Sequence, residues 1–186
     1  MSLANLAGMV VILVLSTFIV KLSAKVGKKE LSVIGSIISA AAFLILFFIH
    51  TDNVWVWIVL VLISSVGTAM FNMVIWAMIT DVIDESEVQT GVRQDGTIYS
   101  VYSFARKLGQ ACSSGLSGVL LSIIGYTTAT AFDPKVVDGI YNITCLVPAG
   151  GMILLLLALW FLYPLNKKRV EENAKILKER REAKVQ

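Results

Sequence analysis

The chain alternates between long apolar segments and short polar ones, a pattern typical of a protein that crosses a membrane several times. The hydrocarbon core of a bilayer is about 30 Å thick, so a helix that spans it needs roughly 20 mostly apolar residues. Five segments satisfy this, at residues 3–20, 31–49, 54–79, 97–126 and 140–163. Irregular backbone exposed to lipid cannot satisfy its hydrogen bonds. We therefore predict an all-α transmembrane bundle over residues 1–163.

Residues 164–186 form a tail of the opposite character. Twelve charged residues lie between Lys167 and Lys184. Glu171 and Lys175 stand four residues apart in the favourable order, next to a thin apolar stripe of Val170, Ala174 and Leu177. The tail is therefore predicted to be a cytoplasmic helix, with its first basic residues near anionic lipid head groups.

The basic residues of the connections predict the orientation. Lysines follow the first segment, at positions 21, 25, 28 and 29, and basic residues follow the fifth, at 167–169. Positive charge stays on the cytoplasmic side, so the C-terminus is predicted inside and the N-terminus of this chain outside. An N-terminus on the outside, with no basic residues before the first span, predicts further helices upstream. A signal peptide at 3–20 is the weaker alternative, since its basic residues would precede the apolar run.

Composition excludes several classes of protein. The chain is 56% hydrophobic and 16% charged, whereas soluble domains are roughly a quarter charged. The net charge of +3 comes from the tail and does not indicate nucleic-acid binding. Cys112 and Cys145 fall inside predicted spans, and no nucleotide, metal or nucleophile motif occurs. We predict neither an enzyme nor a cofactor or metal site.

The fourth segment is the most polar and carries the main candidate site. Its polar side chains recur at helical spacing on one face: Tyr99, Ser103, Lys107 and Gln110. A helix that starts near residue 97 places Lys107 about 15 Å along the axis, around half the hydrocarbon thickness. A cation at that depth should face a cavity or a carboxylate. Alternatively, the helix starts near Ser103, and Arg106 and Lys107 reach the cytoplasmic surface. The polar face favours the first interpretation and a wet cavity for a hydroxyl-rich ligand.

Two further groups of residues are candidates for function. Asn72 and Trp76 lie one turn apart in the third segment, where Trp76 is either a platform for a sugar ring or an interface anchor. The acidic stretch from residue 81 to 96 is predicted to be a cytoplasmic loop. A solvated loop is its simpler interpretation; the sharper one is a gate in which Asp81 and Arg93 pair in one conformation and separate in another. The candidate gating residues are Asp81, Asp84, Glu87 and Arg93.

These motifs resemble the glycoside-pentoside-hexuronide:cation symporters, the melibiose-carrier-like branch of the major facilitator superfamily. The resemblance runs over nearly the whole chain and is most specific between Asp81 and Ala111. It rests on these residues: Leu22-x-x-Lys25-x-Gly27-Lys28-Lys29, Trp76-Ala77-Met78, Asp81, Asp84, Glu87, Thr90-Gly91-x-Arg93, Tyr99-Ser100, Phe104-x-Arg106-Lys107-x-Gly109-Gln110-Ala111 and Gly125-Tyr126.

The resemblance implies that the five spans correspond to helices 8–12 of a twelve-helix fold with two halves. Lys107 falls on the intramembrane lysine of that family, with Ser103 and Arg106 beside it. Asn72 stands where the melibiose carrier has an aromatic sugar contact, and Trp76 follows one turn later. In this detail the chain is more similar to the glucuronide and xyloside carriers.

The family's acidic residues for the coupling cation belong to its N-terminal half, and this chain has no counterpart of them. We therefore expect the C-terminal part of a sugar:cation symporter in the cell membrane, which works by alternating access with Na⁺ or H⁺. Its expected partners are a sugar or glycoside, the bilayer and the missing N-terminal helices. The alternative is a non-transporting membrane scaffold or assembly subunit.

Overall fold

The computed structural model describes residues 18, 19 and 21–183, and within them it contains helices and no strand. A helical stretch at 21–26 precedes five longer helices. These are α1 (Lys28–Ile49), α2 (Val54–Thr90), α3 (Asp95–Ile123), α4 (Pro134–Phe161) and α5 (Lys167–Ala183). The predicted span at 3–20 and the N-terminus of the chain lie almost entirely outside the described residues.

The helix ends have local causes. The side chain of Asn53 accepts a hydrogen bond from the Trp55 amide at 2.9 Å and so caps the start of α2. Gly91 ends α2 with a φ of 75°, a left-handed conformation that glycine adopts without steric cost. Pro134 stands in the first turn of α4, where the missing amide proton would have no partner in the helix.

The helix α2 is longer than predicted. The sequence predicts an end of the third span at residue 79 and a loop at 81–96, but the helix continues without a break to Thr90. The loop prediction is wrong because Asp81, Asp84 and Glu87 recur every three residues and so share one side of a helix. With 37 residues α2 is about 55 Å long, well beyond a hydrocarbon core of about 30 Å.

The centre of the fold is α1, which packs against both α2 and α4. It meets α2 across Gly35 and Gly67, where the two backbones come so close that neither position has room for a Cβ atom. Buried serines border this contact, and Ser36 donates a hydrogen bond at 2.8 Å to the Ser32 carbonyl of its own helix. Small residues let helices approach closely in a membrane, where dispersion and hydrogen bonds drive association.

Both ends of α1 are also tied to α4 and the segment after it. Near its start, Lys29 donates to the carbonyl of Tyr163 at 2.6 Å. Near its other end, the Tyr141 hydroxyl donates to the carbonyl of Leu46 at 2.9 Å. The apolar core between these ends consists of Ile19, Leu31, Ala69, Val74, Met78 and Leu159. The helices α1, α2 and α4 thus form one packed unit.

The helix α3 stands apart from this unit. None of its residues is buried, and its contacts with the described helices are mainly with α2. Of the described helices, α1, α2 and α4 are long and apolar enough to cross a membrane, while α3 does not reach that apolarity. Of the five predicted spans, three therefore correspond to described helices that are long and apolar enough to cross a membrane. The polar residues that make α3 the candidate site also lower its hydropathy.

The contact at Gly67 provides a test of the packing. Gly67→Ala should lower the free energy of unfolding by about 1–3 kcal/mol, because the new methyl group collides with the carbonyl of Gly35. Gly150→Ala is the matched control: its Cβ meets nothing within 4 Å, and alanine favours a helix, so stability should hold or rise. Denaturant unfolding of both variants in detergent measures the difference, and equal midpoints would contradict the close contact.

Candidate functional site

An open groove lies between α2 and α3. Its volume is about 580 Å³, within the roughly 300–1,000 Å³ of small-molecule sites. Asn72, Trp76 and Arg106, three of the predicted site residues, line it. Phe71, Ile75, Tyr102 and Ala105 complete the lining. Residues from two separate predicted spans thus meet at one place.

Aromatic rings and one cation define the groove. The Trp76 ring contacts Tyr102 edge to face, with centroids 5.3 Å apart, and Tyr99 at 6.4 Å. The guanidinium carbon of Arg106 lies 5.7 Å from the centroid of the Trp76 ring, a cation–π distance. Trp76 is 49% exposed, so part of its ring remains open to a ligand. The groove therefore combines apolar ring faces, an amide and a positive charge.

The helix α3 begins at Asp95, so the alternative of a late start near Ser103 is wrong. Arg106 lies about 16 Å along the helix axis from that start. Lys107, one residue further on, is turned by about 100° around the axis. Lys107, Ser103 and Gln110 are exposed and do not line the groove. The predicted site residues of α3 thus divide between the groove and an adjoining side of the helix.

Tyr102 was missed in the sequence prediction. It lies four residues before Arg106, and this spacing places the two side chains on the same side of α3. The sequence contained this signal, but a helix face alone does not indicate which neighbour it meets.

The expected pair between Asp81 and Arg93 does not form. Asp81 is buried and binds Lys28 of α1, with Nζ 2.6 Å from Oδ1. Arg93 instead binds Asp84 at 2.8 Å, Glu87 at 2.9 Å and, through Nε, Asp95 at 2.9 Å. The reason is the helical continuation of α2, which directs Asp81 towards α1 and both Asp84 and Glu87 towards the turn.

Arg93 connects two helices across the turn at 91–94. Asp84 and Glu87 belong to the last turns of α2, and Asp95 is the first residue of α3. Hydrogen bonds from these carboxylates, that of Asp84 foremost, raise the pKa of the Arg93 guanidinium, so it stays charged at any physiological pH. Exposed pairs contribute little one at a time, but a shared cation restricts how the two helix ends are oriented.

The tail helix α5 docks on the end of α2. Arg169 donates to both carboxylate oxygens of Glu85, at 3.1 and 3.0 Å, and Asn173 donates to one of them at 2.6 Å. The hydrogen bond to Glu85 is the largest cause of a raised pKa at Arg169, and the negative charge of Glu85 adds to it. One turn later along the face, Leu177 is buried. The structure gives the tail a protein partner on α2, while its contact with lipid stays a prediction.

The C-terminal end of α5 completes this contact. Arg180 donates to the carbonyls of Glu87 and Val88, at 3.3 and 3.1 Å, near the C-terminal end of α2. A cation is stabilised there by the unsatisfied carbonyls and the negative end of the helix dipole. The sequence analysis does not predict these contacts of Arg180, although the basic residues of the tail are evident in the sequence.

Comparisons with known proteins identify the family of the chain. The family described as MFS/sugar transport protein matches residues 1–167. The glucuronide carrier protein homolog of Escherichia coli (strain K12) is 35% identical over 80% of this chain and 32% of its own length. The uncharacterized symporter YjmB of Bacillus subtilis (strain 168) is 38% identical over 82% of this chain and 33% of its own length.

The putative sulfoquinovose importer of Salmonella typhimurium is 34% identical over 77% of this chain and 30% of its own length. The chain thus spans about a third of the length of the curated relatives it matches. Its apolar helices and these relatives identify a multi-pass membrane protein.

Glu85 is the residue through which the docking of α5 is tested. Glu85→Ala removes the acceptor of the buried Asn173 amide, and leaving a buried donor unsatisfied costs about 1–3 kcal/mol. Amide hydrogen exchange in α5 should accelerate by roughly 5- to 150-fold. Glu182→Ala, which removes only an exposed pair with Lys178, should leave exchange nearly unchanged. Protected α5 amides in the Glu85 variant would refute this docking contact.

Proposed function

We propose, since this chain belongs to the MFS/sugar transport protein family, that it supplies the C-terminal part of a secondary active carrier for a sugar or glycoside. The carrier would couple sugar movement to Na⁺ or H⁺ in the cell membrane, with its C-terminus in the cytoplasm. The names of two relatives refer to a glucuronide and to sulfoquinovose, both sugars. In this proposal the remaining helices of the carrier complete the translocation pathway around α2 and α3.

The observation that carries the proposal is the aromatic groove between α2 and α3. A sugar has an apolar ring face and a rim of hydroxyl groups. The exposed face of Trp76 suits the ring, and Asn72 offers both a donor and an acceptor to hydroxyls. Sites of this kind combine apolar walls with a few placed polar groups.

Lys107 belongs to a neighbouring part of the same pathway. It is exposed and, among the described residues, makes no hydrogen bond or ion pair. A cation in the middle of a membrane helix calls for a cavity or a counter-charge. We assign it to the wall shared with the other half of the carrier, where it neutralises a carboxylate while the coupling cation is absent. Ser103 and Gln110 lie beside it.

The charged residues at the end of α2 divide into a fixed pair and a gate. Asp81 and Lys28 join α1 to α2 within the packed unit, so they belong to the fixed part. Asp84, Glu87 and Arg93 lie at the turn between α2 and α3, where the loosely packed α3 can move. Alternating access needs such contacts, which form in one conformation and break in another.

Lys107→Leu tests the assignment of the site. In the complete carrier it should abolish gradient-driven sugar accumulation in vesicles, while insertion and amount in the membrane stay normal. Lys135→Leu, which removes an exposed lysine near the start of α4, is the control and should retain accumulation. Sugar accumulation that survives Lys107→Leu would remove Lys107 from the site. A complete protein that accumulates no sugar would favour the alternative function of a non-transporting membrane scaffold.

Arg93→Gln tests the gate. Loss of the shared cation should shift the balance between the two access states by roughly fivefold, since several exposed pairs together contribute about 1 kcal/mol. A cysteine placed at Asn72 reports this as a changed rate of alkylation by an impermeant maleimide. Lys175→Gln, which breaks only an exposed pair in α5, is the control. An unchanged rate in the Arg93 variant would exclude the gate.

A further inference from the structure

We propose that Arg180 and Arg181 of α5 are positioning residues for the gate, because they hold Glu87 and the last turn of α2 in the place where Arg93 binds. The tail helix is thereby a part of the machinery that controls access, beyond an attachment to α2 or to lipid. The inference rests on the proposed function, since the gate of Asp84, Glu87 and Arg93 is defined there.

The carboxylate of Glu87 connects the gate to the tail. Its Oε2 accepts a hydrogen bond from Arg93 at 2.9 Å, and Nη2 of Arg181 lies 3.5 Å from the same oxygen. A carboxylate oxygen has two lone pairs and accommodates both donors. The Glu87 side chain is only 18% exposed, so its orientation is restricted by these neighbours. Because two cations share one oxygen, the position of Arg181 influences the contact that Arg93 makes.

Arg180 acts on the backbone that carries Glu87. It donates to the carbonyl of Glu87 at 3.3 Å and to that of Val88 at 3.1 Å. Both residues belong to the last four of α2, whose carbonyls have no partner from a following turn of the helix. Helix ends fray readily, and donors on these carbonyls oppose the fraying. The tail therefore holds the turn that presents Glu87 to Arg93.

One face of α5 fixes where the two arginines lie. Asn173, Leu177, Arg180 and Arg181 follow each other at spacings of three or four residues, which places them on the same side of the helix. Asn173 donates to Glu85 at 2.6 Å, and Leu177 is buried. These two contacts set the rotation of α5, so its arginines meet the end of α2 in a defined place.

The tail crosses the end of α2 and reaches the gate side of it. Glu85 and Glu87 are about 200° apart around the helix, yet α5 contacts both. A cavity of about 380 Å³ lies where α5 meets the gate. Asp84 and Arg93 of the gate line it together with Leu177, Lys178 and Arg181 of α5. A displacement of α5 therefore changes the surroundings of the gate directly.

The direction of the effect follows from these contacts. Loss of Arg180 and Arg181 loosens Glu87, which weakens one of the three carboxylate contacts of Arg93. Removal of Arg93 itself abolishes all three. The tail variant should therefore shift the access states in the same direction as the Arg93 variant, and by no more.

The test uses the complete carrier in right-side-out membrane vesicles, with Asn72→Cys as the reporter. The native thiol of Cys112 is exposed, so it is removed by Cys112→Ser. Position 72 lies about 22 Å along α2 from Glu87, well away from the tail. The rate of alkylation by an impermeant maleimide therefore reports the access state and not the local contacts of α5.

Arg180→Gln combined with Arg181→Gln should change this rate by about two- to fivefold, with the same sign as Arg93→Gln. Arg180→Lys combined with Arg181→Lys keeps cations at the end of α2, and it should recover about half of the shift or more.

The matched control is Lys168→Gln combined with Lys175→Gln. It removes the same amount of charge from exposed positions of α5 that contact neither the gate nor the last turn of α2. The alkylation rate should stay as in the wild type.

A role through the gate also requires that the effects do not add. In the Arg93→Gln background the glutamine variants of Arg180 and Arg181 should change the rate by less than about 1.5-fold, because the contact they support is already absent. Independent sites would instead show the full effect of the tail variant in that background.

Two results overturn the inference while the gate stands. One is an unchanged alkylation rate in the tail variant although amide exchange shows that α5 is released, which would leave the tail as an attachment only. The other is a full additive effect in the Arg93→Gln background. An unchanged rate in the Arg93→Gln variant alone would overturn the gate and this inference together. Sugar accumulation by the wild type tests the carrier function separately from both.

Discussion

The close contact between α1 and α2 at Gly35 and Gly67 is the constraint on which the other features depend. It sets the rotation of α2 about its own axis, because only the glycine side of that helix can approach α1 so closely. Trp76 follows Gly67 by nine residues, which is about 180° around an α-helix. The ring therefore faces away from α1 and towards α3. Packing on one side of α2 thus decides which residues remain for a ligand on the other.

The acidic residues near the end of α2 are likewise directed to different neighbours by their positions around the helix. Asp81 is turned towards α1 and binds Lys28, whereas Glu85 is turned towards the tail and binds Arg169. Asp84 and Glu87 share Arg93 at the turn into α3. Acidic residues within seven positions of the chain therefore serve three separate contacts. Their partners come from α1, α5 and the turn, so the end of α2 joins parts of the chain that are far apart in sequence.

Local patterns predicted the chemistry better than the geometry. The motifs from Asp81 to Ala111 indicated the family, and the family comparison confirms it. Trp76 and Arg106 were both singled out, but 30 positions separate them in the chain, and their contact depends on how α3 rotates against α2. Charge alone predicts a solvated loop for the acidic stretch, but its three-residue spacing suits a helix, and basic residues of α5 contact it. The contacts between the end of α2 and α5 join segments that are distant in the sequence, so no single segment predicts them.

The unbroken course of α2 has a mechanical consequence. The helix runs as one rod from the glycine contact past the groove to the docking site of the tail. From Gly67, Trp76 lies about 13 Å along the axis and Glu85 about 27 Å. For any tilt of the α1–α2–α4 unit about the level of the glycine contact, the end that holds the tail travels twice as far as the groove. The helix therefore acts as a lever arm, and a small displacement at the groove is doubled where α5 is attached.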